Sequence, residues 1–153
     1  MIVVSRSILI SAPRESVRLY LQDLNNAAQY EQKVDAIEVT ASDTAQAEAA
    51  ASGKFLGIPW KGSFKVRFTP DGGYHAEMTH GSKTAVCVFS LRPVSGGTVL
   101  THEERYQFSL LARPVMRLFK GWLSHTLELE LGVIKEEAER LNRQIALQKL
   151  ESL

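Results

Sequence analysis

Cysteine is almost missing from this chain. Cys87 is the only one among 153 residues, so no internal disulfide can form and no thiolate cluster can hold zinc. It lies in the apolar run Ala85-Val86-Cys87-Val88-Phe89 and reads as a small buried hydrophobe rather than a nucleophile. A prevailing charge is missing too. Lys and Arg number 18 against 17 Asp and Glu, with the signs interspersed, which removes the electrostatic reason to expect nucleic acid or an anionic membrane as partner. The local cations Lys61, Lys65 and Arg67 read as the wet face of a strand. No apolar run approaches the roughly 18 residues of a membrane span, so stable membrane insertion is not expected. The N-terminal Met1-Ile2-Val3-Val4-Ser5-Arg6 lacks the basic region and clean apolar stretch of a secretory signal, and a cytoplasmic location is the expectation. There is no Gly-rich phosphate loop, no internal repeat and no alternation of strands with helices. The 4 histidines, His75, His80, His102 and His125, stand at none of the short spacings of metal ligands, so neither a metal nor a cofactor is expected.

What the chain does have is a long amphipathic helix after a run of strands. From about residue 111 to 150, apolar residues recur at Val115, Phe119, Trp122, Leu123, Leu127, Leu131, Ile134, Ala138, Leu141 and Ile145, in steps mostly of three and four. Such a stripe needs an apolar partner surface, and the preceding residues supply a sheet. Glu136 with Arg140 and Glu139 with Arg143 have the four-residue spacing of solvent-side ion pairs. Residues 2–10 read as a strand, with Ile2, Val4, Ile8 and Ile10 on one parity. Ser11 and Pro13 then suit the start of a helix carrying Val17, Tyr20 or Leu21, and Leu24 inward. A short second helical turn around Ala28 and Tyr30 follows the break at Asn25-Asn26.

Propensity alone makes residues 45–52, rich in alanine, a helix. Length, neighbours and Gly53 favour a strand instead, with a thin wall that either leaves interior room or admits a close neighbour. Ile58, Trp60, Phe64, Val66 and Phe68 then alternate with Pro59, Lys61, Ser63, Lys65 and Arg67, one face dry and one wet. Turns at Pro70-Asp71-Gly72-Gly73 and Val94-Ser95-Gly96-Gly97 separate three further strands. The order is strand, two helices, six strands, long helix, within one domain spanning 1–153.

That order, with Ile8-Leu9-Ile10-Ser11-Ala12-Pro13-Arg14-Glu15-Ser16-Val17, resembles the START-like superfamily, and within it the polyketide cyclase/dehydrase and lipid-transport group. Leu21-Gln22-Asp23-Leu24, the aromatic Tyr30 and the late Gly96-Gly97-Thr98-Val99-Leu100-Thr101 carry the likeness further. The resemblance implies an α+β helix-grip fold: a seven-stranded curved antiparallel sheet around the C-terminal helix, with an apolar tunnel between them. It also implies a range of activities, from enzymes to lipid carriers and ligand sensors.

Within the last strand, Leu100, His102, Glu104, Tyr106 and Phe108 share a parity, while Thr101, Glu103, Arg105 and Gln107 share the polar one. An imidazole, a carboxyl and a phenol on one interior row must meet each other, water or a bound polar group. Three readings are open: an internal network, a ligand-orienting group, or a proton-transfer pair made of His102 and Glu104. Arg6 either points inward against Glu104 or reaches solvent, and His80 lies at a strand end. Trp60, Phe64, Met78, Phe89, Tyr106, Met116 and Phe119 are the candidate ligand-binding residues. Leu110, Leu111, Met116, Leu118 and Phe119 exceed what one buried stripe needs, which fits an entrance lid, a homodimer contact or a membrane-touching edge. The function expected is non-covalent binding or transport of a small hydrophobic molecule, such as a lipid, isoprenoid or aromatic polyketide-like compound. The alternatives are a cyclase/dehydrase-type enzyme and a protein-interaction module.

Overall fold

Alternation of apolar and polar residues builds most of the molecule. The computed structural model describes residues 1–80, 83–107 and 113–153, the side chains at positions 80, 83, 113, 114 and 116 excepted. Strand β1 (Ile2–Ile10) is followed by α1 (Arg14–Gln22), a 3-10 turn (Leu24–Asn26) and the single-turn α2 (Ala27–Tyr30). Then come β2 (Ala36–Ser42), β3 (Gln46–Phe55), β4 (Ile58–Phe68), β5 (Tyr74–His80), β6 (Lys83–Val94), β7 (Gly97–Tyr106) and α3 (Arg113–Glu151). The seven strands form one sheet in the order β1-β7-β6-β5-β4-β3-β2, every pairing antiparallel. This is the α+β helix-grip arrangement that the resemblance implies.

The alanine-rich segment is strand β3, against its helical propensity. Ala47, Ala49 and Ala51 are buried on one parity, and Gln46, Glu48 and Ala50 are exposed on the other. Pairing on both sides, with Val39 beside Ala49 and Phe64 opposite it, outweighs the intrinsic preference of alanine. Leu56 and Gly57 turn β3 into β4 with φ of 52° and 80°, as a two-residue hairpin requires.

Helix α3 packs on β1, α1, α2 and β7. Phe119, Leu123, Leu127, Leu131, Ile134 and Ala138 are buried, whereas Leu141 and Ile145 are half-buried. Val115 departs from the expected stripe and is 63% exposed. Steps of four on a 3.6-residue helix rotate by about 40° each, so the stripe turns away from the sheet toward its N-terminal end. The Arg140 side of the helix carries its expected pair with Glu136, at 3.7 Å, but Glu139 bonds Lys135 and the Ser11 amide rather than Arg143. Ser11 does not cap α1. Pro13 occupies the cap position, with no side-chain cap bond.

Candidate functional site

The register lays out the interior in rows. Tyr106 of β7 sits opposite Ala85 of β6, which faces Met78 of β5, then Phe64 of β4 and Ala49 of β3. The adjacent row runs Glu104, Cys87, Ala76, Val66, Ala47. Ala85 and Ala49 in the first row and Cys87 and Ala76 in the second are small and leave the concave side unfilled. The result is a cavity of about 260 Å³. Its wall is mostly apolar, with Tyr30 and Val34 on one side and Trp60, Phe64, Met78 and Ala49 on the sheet. Phe55, Ile58 and Pro59 lie near the β3–β4 hairpin, where Ile58 is 69% exposed and marks the open side.

One end of the cavity is charged. Glu31, Lys33, Glu104 and Tyr106 line it, and Glu130 and His102 stand behind them with no exposure. Lys33 Nζ lies 2.5 Å from Glu31 Oε1, 2.9 Å from Glu130 Oε1 and 3.0 Å from Glu104 Oε1. The Tyr106 hydroxyl donates to Glu104 Oε2. His102 Nε2 is 3.1 Å from Cys87 Sγ and 3.4 Å from Glu104 Oε1, and its ring stacks on Phe89 at 4.0 Å between centroids. His102 Nδ1 and Glu130 Oε2 are 3.3 Å apart, and both are buried without a hydrogen-bond partner.

Burial and neighbouring charge set the protonation of this cluster. Burial pushes Glu31 well above the carboxylate range, and the Glu130 charge adds to it against the pull of Lys33. Burial raises Glu130 as well, against the pull of Lys33. For Glu104, burial acts upward but is outweighed by Lys33, His102 and the Tyr106 bond, which hold it below its ordinary value. Burial would lower Lys33, yet Glu104 and Glu31 raise it well above the usual ammonium value. Burial keeps His102 below the ordinary imidazole value and pushes the Cys87 thiol well up, so the first is a neutral ring and the second is no thiolate. Glu31, His102, Glu104 and Glu130 bring one potential metal-ligating atom each within 4.8 Å of one another. The Lys33 ammonium already bonds three of these four groups, so they could hold a metal only with Lys33 displaced.

Of the residues singled out in the sequence, Trp60, Phe64, Met78, Glu104 and Tyr106 line the cavity. His102, Phe89 and Phe119 are not among its lining residues. Phe119 instead backs the wall residue Phe55, with ring centroids 5.1 Å apart, in a group completed by Trp122. Phe108, Leu110, Leu111 and the side chains of His80 and Met116 lie outside the described residues. Arg6 takes the solvent side and pairs with Glu128 at 3.3 Å rather than with Glu104. Glu31, Lys33, Glu130 and Phe55 escaped the sequence reading. Glu130 had a signal: it sits three residues after Leu127 and four before Ile134, on the apolar stripe. Among the described residues, no helix is long and apolar enough to cross a membrane.

No family model matches the sequence, and no curated protein matches it. Solved structures do. The chain is similar to TTHA0849 from Thermus thermophilus, at 18% identity over 90% of this chain and 97% of that one, with a TM-score of 0.77. It is similar to the Zhui aromatase/cyclase from a Streptomyces species, at 13% identity over 91% and 94% of the two chains, TM-score 0.72. A third likeness is to a STAR-related lipid transfer protein from Xanthomonas axonopodis, at 15% identity over 88% and 84%, TM-score 0.63. The chain has the START-like helix-grip fold.

Proposed function

We propose that this protein binds and carries a small hydrophobic molecule, a lipid, isoprenoid or aromatic polyketide-like compound, in the cavity under its sheet. The observation that carries the reading is the cavity itself, apolar along its length and charged at one end. Each Å² of apolar ligand surface taken from water is worth about 25 cal/mol, so the walls supply affinity and the charged end supplies orientation. Trp60, Phe64 and Met78 serve as the apolar contacts, and Tyr106 and Glu104 stand where a ligand's polar group arrives. Similarity of fold to a lipid transfer protein and to an aromatase/cyclase supports a ligand of this general kind. The enzyme alternative places proton transfer on His102 and Glu104. Glu104 is at the wall, whereas His102 has no exposure and is not among the lining residues, which favours binding over catalysis.

Native mass spectrometry of freshly purified protein, followed by solvent extraction, tests the reading. The expected result is a bound small molecule that leaves in organic solvent, in equimolar amount with the chain at most. Protein that arrives empty, and that takes up no apolar probe when offered one, contradicts it.

A further inference from the structure

The charged end of the cavity contains the information needed to choose among headgroups, and the inference rests on the binding reading above. The groups that face or back it are Glu31 and Lys33 from the segment after α2, Cys87 from β6, His102, Glu104 and Tyr106 from β7, and Glu130 from α3. An ammonium has three hydrogens to donate. Lys33 has a carboxyl for each: Glu31, Glu104 and Glu130. It has none left for an incoming anion. The Tyr106 hydroxyl is directed to Glu104, and Trp60 Nε1 donates to the Lys33 carbonyl at 3.0 Å. The Tyr30 and Tyr74 hydroxyls bond each other at 2.6 Å, which leaves that pair one neutral hydrogen.

Acceptors, by contrast, are in excess. A carboxylate can accept about four hydrogen bonds, and three carboxyls share one ammonium here. Behind them Glu130 Oε2, buried and without a hydrogen-bond partner, stands 3.3 Å from His102 Nδ1. A carboxylate or phosphate headgroup entering this end meets the ionised Glu104 with every Lys33 hydrogen already committed, and like charges at short range in a buried site repel strongly. A headgroup that brings its own hydrogens and a positive charge meets the opposite situation. We propose that the cavity selects a hydrophobic amine, whose ammonium docks against Glu31 and Glu104, and that it rejects carboxylate- and phosphate-headed lipids. Arrival of a second cation lets Glu31 give up the proton that burial otherwise keeps on it, so binding releases a proton.

The test uses three probes with one ring system: naphthylmethylamine, naphthylmethanol and naphthoic acid, titrated calorimetrically into the full chain at neutral pH in two buffers of different ionisation enthalpy. The amine is expected to bind at least about tenfold more tightly than the alcohol and the acid, in keeping with a charge-assisted hydrogen bond. Its apparent enthalpy should change between buffers, in the sense of proton release. In Glu31→Gln, checked for fold by its thermal transition, the amine's advantage should shrink by about the same factor. An acid that binds as well as the amine, or an alcohol that equals it, overturns the proposal while leaving hydrophobic binding intact. If none of the three binds and naphthalene itself does not, the binding reading falls and takes this one with it.

Discussion

Glu31, Glu104 and Glu130 share one ammonium, and burial decides which of them keeps its proton. Glu104 takes the charge because Lys33, His102 and Tyr106 all favour its ionised form, while Glu31, raised by burial and by its neighbour Glu130, stays protonated. The sign of the pH dependence follows. Below the unfolded carboxyl value of about 4.3, Glu31 is protonated in both states and contributes nothing. As pH rises past it the unfolded chain loses a proton that the folded chain retains, so stability falls until the folded value is reached. Urea unfolding of wild type and Glu31→Gln across pH 4 to 8 should therefore show the variant gaining on the wild type as pH increases, by about 1.4 kcal/mol for each pH unit between the unfolded and folded values. A difference that stays flat with pH would place the proton elsewhere. Half of this cluster was legible in the sequence, because strand parity put His102, Glu104 and Tyr106 on one interior row. Lys33 and Glu31 were not, since they occupy a segment with no period, and only the fold brings it over the end of the sheet.

Strand β3 shows how pairing overrides propensity and what its small residues achieve. A Cβ added to Gly53 would lie 1.9 Å from the Lys33 carbonyl oxygen, so glycine lets the segment bearing Lys33 lie directly on the strand. Trp60, opposite Gly53 in the register, then holds that same carbonyl through its indole N–H. Gly53→Ala must push the segment away, and overpacking of this kind costs about 1–3 kcal/mol. Gly132, on the exposed side of α3 with nothing within 4 Å of its added Cβ, is the matched control. Gly132→Ala should stabilise by up to about 1 kcal/mol through helix propensity. Chemical denaturation of both variants, read by tryptophan fluorescence, should thus give opposite signs, and a Gly53→Ala protein as stable as wild type would contradict the close approach. The strand itself was recognisable because Gly53 and the flanking strands argued against a helix. The reason for Gly53 was not, as its partner is a backbone atom 20 residues away in sequence (33 against 53).

At the scale of the molecule, the long helix was legible from periodicity and the seven-stranded antiparallel sheet from the resemblance, whereas the order of the strands and the cavity's position were not. The tunnel was expected between helix and sheet. Helix α3 instead packs along β1, α1, α2 and β7, while β3 to β6 face the segment around Tyr30 and Val34, and no described residue of α3 lines the space. What leaves that space open is the size of Ala49, Ala76, Ala85 and Cys87, a property that periodicity does not register. Filling it from within shows whether a ligand occupies it. Ala49→Phe projects a ring into the cavity opposite Phe64, at an overpacking cost of about 1–3 kcal/mol. Titration of an apolar fluorescent probe into folded wild type and Ala49→Phe should give saturable one-to-one binding by the first and at least about tenfold weaker binding by the second, a loss of about 1.4 kcal/mol or more. Equal affinity in the two proteins would show that the probe, and by extension the ligand, does not occupy this cavity.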